Sequence, residues 1–62
     1  MKTEIESELF INENSHKVTL TLSDDETLAG QVSLFTVTPE GKQVEFVVSK
    51  AKLRSALNCL GN

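Results

Sequence analysis

The chain has 62 residues, six basic against nine acidic side chains, one cysteine, one histidine, and neither tryptophan nor tyrosine. A single domain of about 60 residues buries only roughly 60% of the surface its unfolded chain exposes, and such a core supplies about 3 to 5 kcal/mol unless a disulfide, a metal or self-association adds to it. Cys59 alone excludes an internal disulfide framework, and His16 and Cys59, 43 positions apart with no paired spacing, exclude an ordinary soft-ligand metal site, which leaves self-association as the expected support.

Residues 3–12 alternate, with Ile5, Ser7, Leu9 and Ile11 in one phase and Glu4, Glu6, Glu8 and Phe10 in the other. That period of two predicts a strand, against a helical alternative supported by the Glu and Leu content. The polar cluster Asn12, Glu13, Asn14 and Ser15 predicts a connection, since these side chains bond their own backbone in turns. His16 to Ser23 predicts a second strand, with Val18, Leu20 and Leu22 on one face and Lys17, Thr19, Thr21 and Ser23 on the other.

Asp24, Asp25 and Glu26 close that strand as an acidic turn, and the chain resumes at Thr27 in a third strand running to Val37, so a tight hairpin is expected. Gly30 within it marks a bulge or a close backbone approach. Thr38, Pro39, Glu40, Gly41 and Lys42 form the next turn, where proline presets φ and Gly41 takes positive φ. Gln43 to Ser49 is a fourth strand, with Val44, Phe46 and Val48 opposite Gln43, Glu45 and Val47.

Ser49 is placed to cap a helix over Lys50–Leu60, whose Leu53, Ala56, Leu57 and Leu60 fall in one arc of about 100°, and Gly61 takes the C-terminal cap. The expected fold is α+β: a four-stranded antiparallel meander with one C-terminal amphipathic helix packed on one face, ββββα in two layers, forming one domain over residues 1–62. The expected core is Ile5, Leu9, Ile11, Val18, Leu20, Leu22, Leu28, Val32, Leu34, Val44, Phe46, Val48, Leu53, Ala56, Leu57 and Leu60.

The stretch Val18 to Phe35 resembles the first motif of Sm-like RNA-binding proteins, in which an alternating strand enters a turn and leaves through Leu-x-Gly-x-hydrophobic. Leu22, Asp24, Leu28, Gly30, Val32 and Phe35 carry the likeness. Asp25 stands where that motif has glycine, no aspartate and asparagine follow Phe35 to contact a base, and no second motif follows. The resemblance implies a strongly curved hairpin.

No catalytic constellation is present: His16 reads as a solvated loop histidine, Cys59 lies off the apolar arc of its helix, and three consecutive carboxylates cannot supply the six to eight oxygens calcium takes. The chain is therefore expected to be non-enzymatic, without cofactor or metal. No run of about 18 apolar residues is present and the start Met-Lys-Thr-Glu-Ile-Glu is acidic, so neither membrane nor export is expected and a reducing, cytoplasmic location follows.

Charge is unevenly placed, minus six over residues 1–41 (two lysines, eight carboxylates) and plus three over 42–62 (Lys42, Lys50, Lys52 and Arg54 against Glu45). Cations in the first half of a helix oppose its dipole. Either they pair with carboxylates, Glu4, Glu6 and Glu8 being the candidates, or Lys42, Lys50, Lys52 and Arg54 contact an anion or acidic partner. The uncovered face of an antiparallel sheet should be polar, yet Phe10, Phe35, Val37 and Val47 project there, a candidate patch for a second copy or another protein. Two functions follow: a small protein-binding module (regulator, inhibitor or adaptor), homodimeric through the sheet face or an edge strand, or a nucleic-acid-associated module, which the pI of about 4.9 disfavours.

Overall fold

The computed structural model describes residues 1–24 and 29–61. Four strands, β1 (Lys2–Ile11), β2 (Asn14–Ser23), β3 (Gln31–Val37) and β4 (Gln43–Ser49), precede one helix, α1 (Lys50–Cys59). The strands form one open antiparallel sheet in chain order, so the expected α+β meander is the fold. Residues 2–11 are strand, and the helical alternative for them falls.

The first connection is shorter than expected. Asn12 and Glu13 alone join β1 to β2, both at positive φ (50° and 70°), with Ile11 opposite Asn14. This is the two-residue hairpin turn whose backbone twist matches that of its strands and whose preferred sequence is Asn-Gly. Asn14 and Ser15 are thus strand residues, and ten pairs run the length of the hairpin. The β3–β4 turn matches expectation: the Gly41 amide donates to the Thr38 carbonyl at 2.9 Å, Gly41 sits at φ 88°, and the Thr38 amide donates to the Lys42 carbonyl at 2.8 Å.

Between the two hairpins the seam is narrow. Only Thr21–Ser23 face Ser33–Phe35; beyond them the strands diverge and Thr36 Oγ1 donates to the Thr19 carbonyl at 2.9 Å. The longer third strand is corrected here, because Ala29 and Gly30 form a turn and β3 starts at Gln31, while the tight hairpin expected around Asp25 and Glu26 falls outside the described residues. Gly30 is neither a bulge nor a packing glycine: its φ is 72° and a β-carbon would meet nothing within 4 Å. Backbone conformation alone asks for glycine there. The acidic turn at Asp25 and Glu26, the strand start at Thr27 and the core place of Leu28 lie outside the described residues.

The helix begins where its cap predicts. Ser49 is extended, with φ −68° and ψ 131°, and its hydroxyl accepts from the Lys52 amide at 3.3 Å, as an N-cap does. The Lys50 amide donates to the Gly30 carbonyl at 3.0 Å, tying the first helical turn to the start of β3. Leu60 follows the last turn as its C-cap. Gly61, at φ 74°, donates its amide to the Asn58 carbonyl at 3.1 Å, the left-handed ending that glycine favours.

The register sorts the strands into two faces. One carries Ile5, Leu9 and Ile11 of β1, Val18, Leu20 and Leu22 of β2, Val32 and Leu34 of β3, and Val44, Phe46 and Val48 of β4, the phase expected to be core. Leu53 and Leu57 of α1 share a groove with Thr3, Leu22 and Val32 of this face, so the helix lies on it, at the end where β1 starts.

Burial departs sharply from expectation. Among the described residues Val32, 8% exposed, is the one buried apolar side chain, while Ile5, Val44, Phe46, Leu57 and Leu60 are exposed and the remaining strand members of the expected core are half-buried. Leu53 is half-buried and Ala56 exposed. Two features account for the shortfall: a ten-residue helix is about 15 Å long, whereas ten-residue strands such as β1 and β2 run about 33 Å, and the helix buries none of its own residues, leaving Leu57 57% exposed. The helix stands beside one end of the face with a groove between them and leaves most of the face open. The result is a slab measuring 32 × 30 × 17 Å with a radius of gyration of 13.0 Å, against about 10.6 Å for a compact domain of this length.

Candidate protein-contact face

The helix-side face has a composition its opposite lacks. No strand residue on it is Asp, Glu, Lys or Arg, and His16 is its single ionisable side chain. All six charged strand residues, Lys2, Glu4, Glu6, Glu8, Lys17 and Glu45, project from the other face. Alternation places them there: in β1 every second residue from Lys2 to Glu8 is charged, and a period of two sends them all one way.

Towards the helix this face meets a groove of about 460 Å³ lined by Leu53 and Leu57 of the helix and by Thr3, Leu22 and Val32 of the strands, with Met1, Lys2, Asp24, Lys50 and Arg54 also lining it. Phe46 is 67% exposed, Ile5 49% and Leu60 81%. These are large apolar side chains in positions whose sequence pattern is that of a core. The groove contains no convergent acid, base and nucleophile, and no cluster of three metal-ligating side chains is found among the described residues.

Asp24 holds one corner together. Its carboxylate accepts from Lys50 Nζ and lies 3.3 Å from the amino group of Met1, while its own amide donates to the Met1 carbonyl at 3.0 Å. The hydrogen bond from Lys50, and secondarily that from the Met1 amino group, hold the Asp24 carboxyl below the usual carboxylate range. This accounts for a lysine in the first turn of a helix: its partner is Asp24. The expected pairing with Glu4, Glu6 and Glu8 is corrected, since those carboxylates project from the opposite face and Glu8 accepts instead from Ser15 Oγ at 2.6 Å.

The four basic candidates do not converge. Lys50 and Arg54, one helical turn apart, both line the groove. Lys52 is exposed two residues on from Lys50, and its amide is taken by the Ser49 cap. Lys42 stands in the turn at the other end of β4, about 26 Å of strand away from Lys50.

The apolar candidates on the charged face divide similarly. Phe35, Val37 and Val47 are neighbours across β3 and β4, with Ser33 opposite Val47 and Glu45 opposite Phe35. Ser33 Oγ donates to Glu45 beside them, and Ser33 is buried. Phe10, 66% exposed, pairs with Ser15 near the tip of the first hairpin, beyond the reach of β3. It borders a concavity of about 690 Å³ with Glu6, Glu8 and Lys17. His16 is a strand residue opposite Leu9, not a loop histidine, and Cys59 is an exposed free thiol.

The open helix-side face is the feature sequence reasoning missed. Its signal was present in the lengths: eleven described strand positions in the core phase faced only four apolar helix positions. No helix among the described residues is long and apolar enough to cross a membrane. Comparison with protein-family models, curated proteins and solved structures found no match for this chain.

Proposed function

We propose that this chain is a non-enzymatic protein-binding module, a regulator, inhibitor or adaptor, whose contact surface is the helix-side face of the sheet. The observation that carries the reading is an uncharged, apolar sheet face left open by its helix, with Phe46 67% exposed. Interface cores are depleted in charge in this way, and apolar patches of this kind mark contact sites. The smaller group Phe35, Val37 and Val47 lies among Glu45 and the other acids and is a weaker candidate. A single free cysteine suits the reducing conditions of the cytoplasm, where we place the protein.

The test is site-directed photo-crosslinking in the source cell. A Ser7→p-benzoylphenylalanine chain, with its probe on the helix-side face, should yield protein adducts, and a Glu6→p-benzoylphenylalanine chain, one residue away on the charged face, should yield few. Adducts equal in yield from both positions would defeat the assignment of the face. Nucleic-acid adducts that disappear steeply as salt is raised would replace the proposal with the nucleic-acid reading.

A further inference from the structure

We infer that the occupant of the helix-side face is a second copy of this chain, packed face to face about a two-fold axis. The inference rests on the protein-binding reading and names its partner.

The exposed area is too large for a lone chain of this mass. The chain exposes 5218 Å², whereas a compact folded monomer of 6.8 kDa exposes about 4,000 Å². The excess over that scaling is about 1,200 Å² per chain. Removing it from each of two chains buries about 2,400 Å², within the range of obligate homodimers and above that of most transient contacts. The exposed large apolar strand residues divide between the faces, Ile5, Val44 and Phe46 on the helix side and Phe10, Val37 and Val47 on the other, and only the helix-side set has no charged strand residue among its neighbours on the same face.

Charge points to the same partner. A two-fold axis brings the same patch of both copies together, so a charged face would oppose like to like. The strands of the helix-side face carry no Asp, Glu, Lys or Arg, so the strand surfaces of two copies meet without opposing like charges, while Lys50, paired with Asp24, and Arg54 stand beside the helix at one end of the face. Edge-to-edge pairing through β1 or β4, the two edges of the sheet, is the competing arrangement, and β1 is unsuited to it. In a two-fold antiparallel β1–β1 ladder Glu4, Glu6 and Glu8 would stand among their own equivalents, and like charges opposed across strands destabilise.

Sedimentation equilibrium of the full chain, combined with thiol labelling, tests this. The native chain should sediment at twice its 6.8 kDa mass, and Phe46→Lys should sediment at the single-chain mass while Val37→Lys, on the charged face, remains doubled. A Phe46→Lys chain that lost its fold together with its partner would also run at single mass, so the labelling experiment uses Cys59→Ser chains carrying Ser7→Cys or Glu6→Cys. Alkylation of the cysteine at position 7 should slow at least tenfold as concentration rises through association, with little change at position 6. A native chain of single mass at every concentration overturns the inference, as does a doubled chain in which both thiols stay equally reactive, the signature of edge pairing. A single-mass chain that still crosslinks through position 7 to a different protein removes the second copy alone; one that crosslinks to nothing removes the protein-binding reading as well.

Discussion

Phe46→Ala separates a lone chain from an associated one by magnitude. Its side chain is 67% exposed, so roughly a third of the ring is out of water, and full burial of such a side chain contributes about 1.5 to 3 kcal/mol. In an isolated chain the truncation therefore costs about 0.5 to 1 kcal/mol. With the helix-side face covered by a second copy, the ring is a core ring, and Phe→Ala at a core position costs about 3 to 5 kcal/mol. The two cases differ by more than the error of a urea titration. Val32→Ala serves as the internal reference: Val32 is 8% exposed in the single chain, and losing two methyl groups there costs about 1.6 kcal/mol in either case. The assay is urea unfolding followed by circular dichroism over a hundredfold range of protein concentration, which adds about 2.7 kcal/mol of apparent stability for a dimer and nothing for a monomer. We expect Phe46→Ala to cost more than Val32→Ala and the native midpoint to rise with concentration. A Phe46→Ala loss of about 1 kcal/mol or less, with a midpoint independent of concentration, would show that the ring has no partner in solution.

Glu13→Gly should stabilise the chain by about 1 kcal/mol, because a β-carbon is disfavoured in the left-handed region where Glu13 is held, at φ 70°; a lowered midpoint in the same titration would count against the turn assignment. Gly41→Ala should destabilise by about 1 kcal/mol for the converse reason, since its φ is 88° and the added carbon meets nothing within 4 Å. Asp24→Asn should loosen the contact between the helix start and the first strand, seen as faster amide exchange at Lys50 and at residue 24. Asp24 has its carboxyl pKa lowered on folding from an ordinary value of 3.8, so its contribution is complete above that value and is lost as pH falls through the lower folded value. The acid limb of the stability profile should therefore flatten in Asp24→Asn, and an unchanged acid limb would show that the ion pair with Lys50 contributes nothing to folding.

Much of this architecture was legible in the chain because it is written in local patterns. Alternation over Gln43–Ser49, a serine cap at residue 49 and glycine at residues 41 and 61 each act within a few neighbours, and the structure places all of them as read. The two misread connections were those in which local chemistry is ambiguous. Asn12-Glu13 lacks the glycine that announces a two-residue turn, and Ala29-Gly30 looks like strand by period but turns by φ.

Strand period and hairpin register leave no freedom once the strands are assigned, so the order of residues alone decided which side chains share a face. It thereby sent six charges one way and the apolar phase the other. Whether that apolar phase becomes a core was decided in three dimensions, by how much of a sheet face about 33 Å long a helix of about 15 Å can reach. The pairing of Lys50 with Asp24, 26 positions apart, was likewise settled only when β2, β3 and β4 brought the end of one strand beside the start of the helix. Periodicity is a property of neighbours in the chain, while coverage and ion pairing depend on distances between elements, and those exist only in the folded molecule.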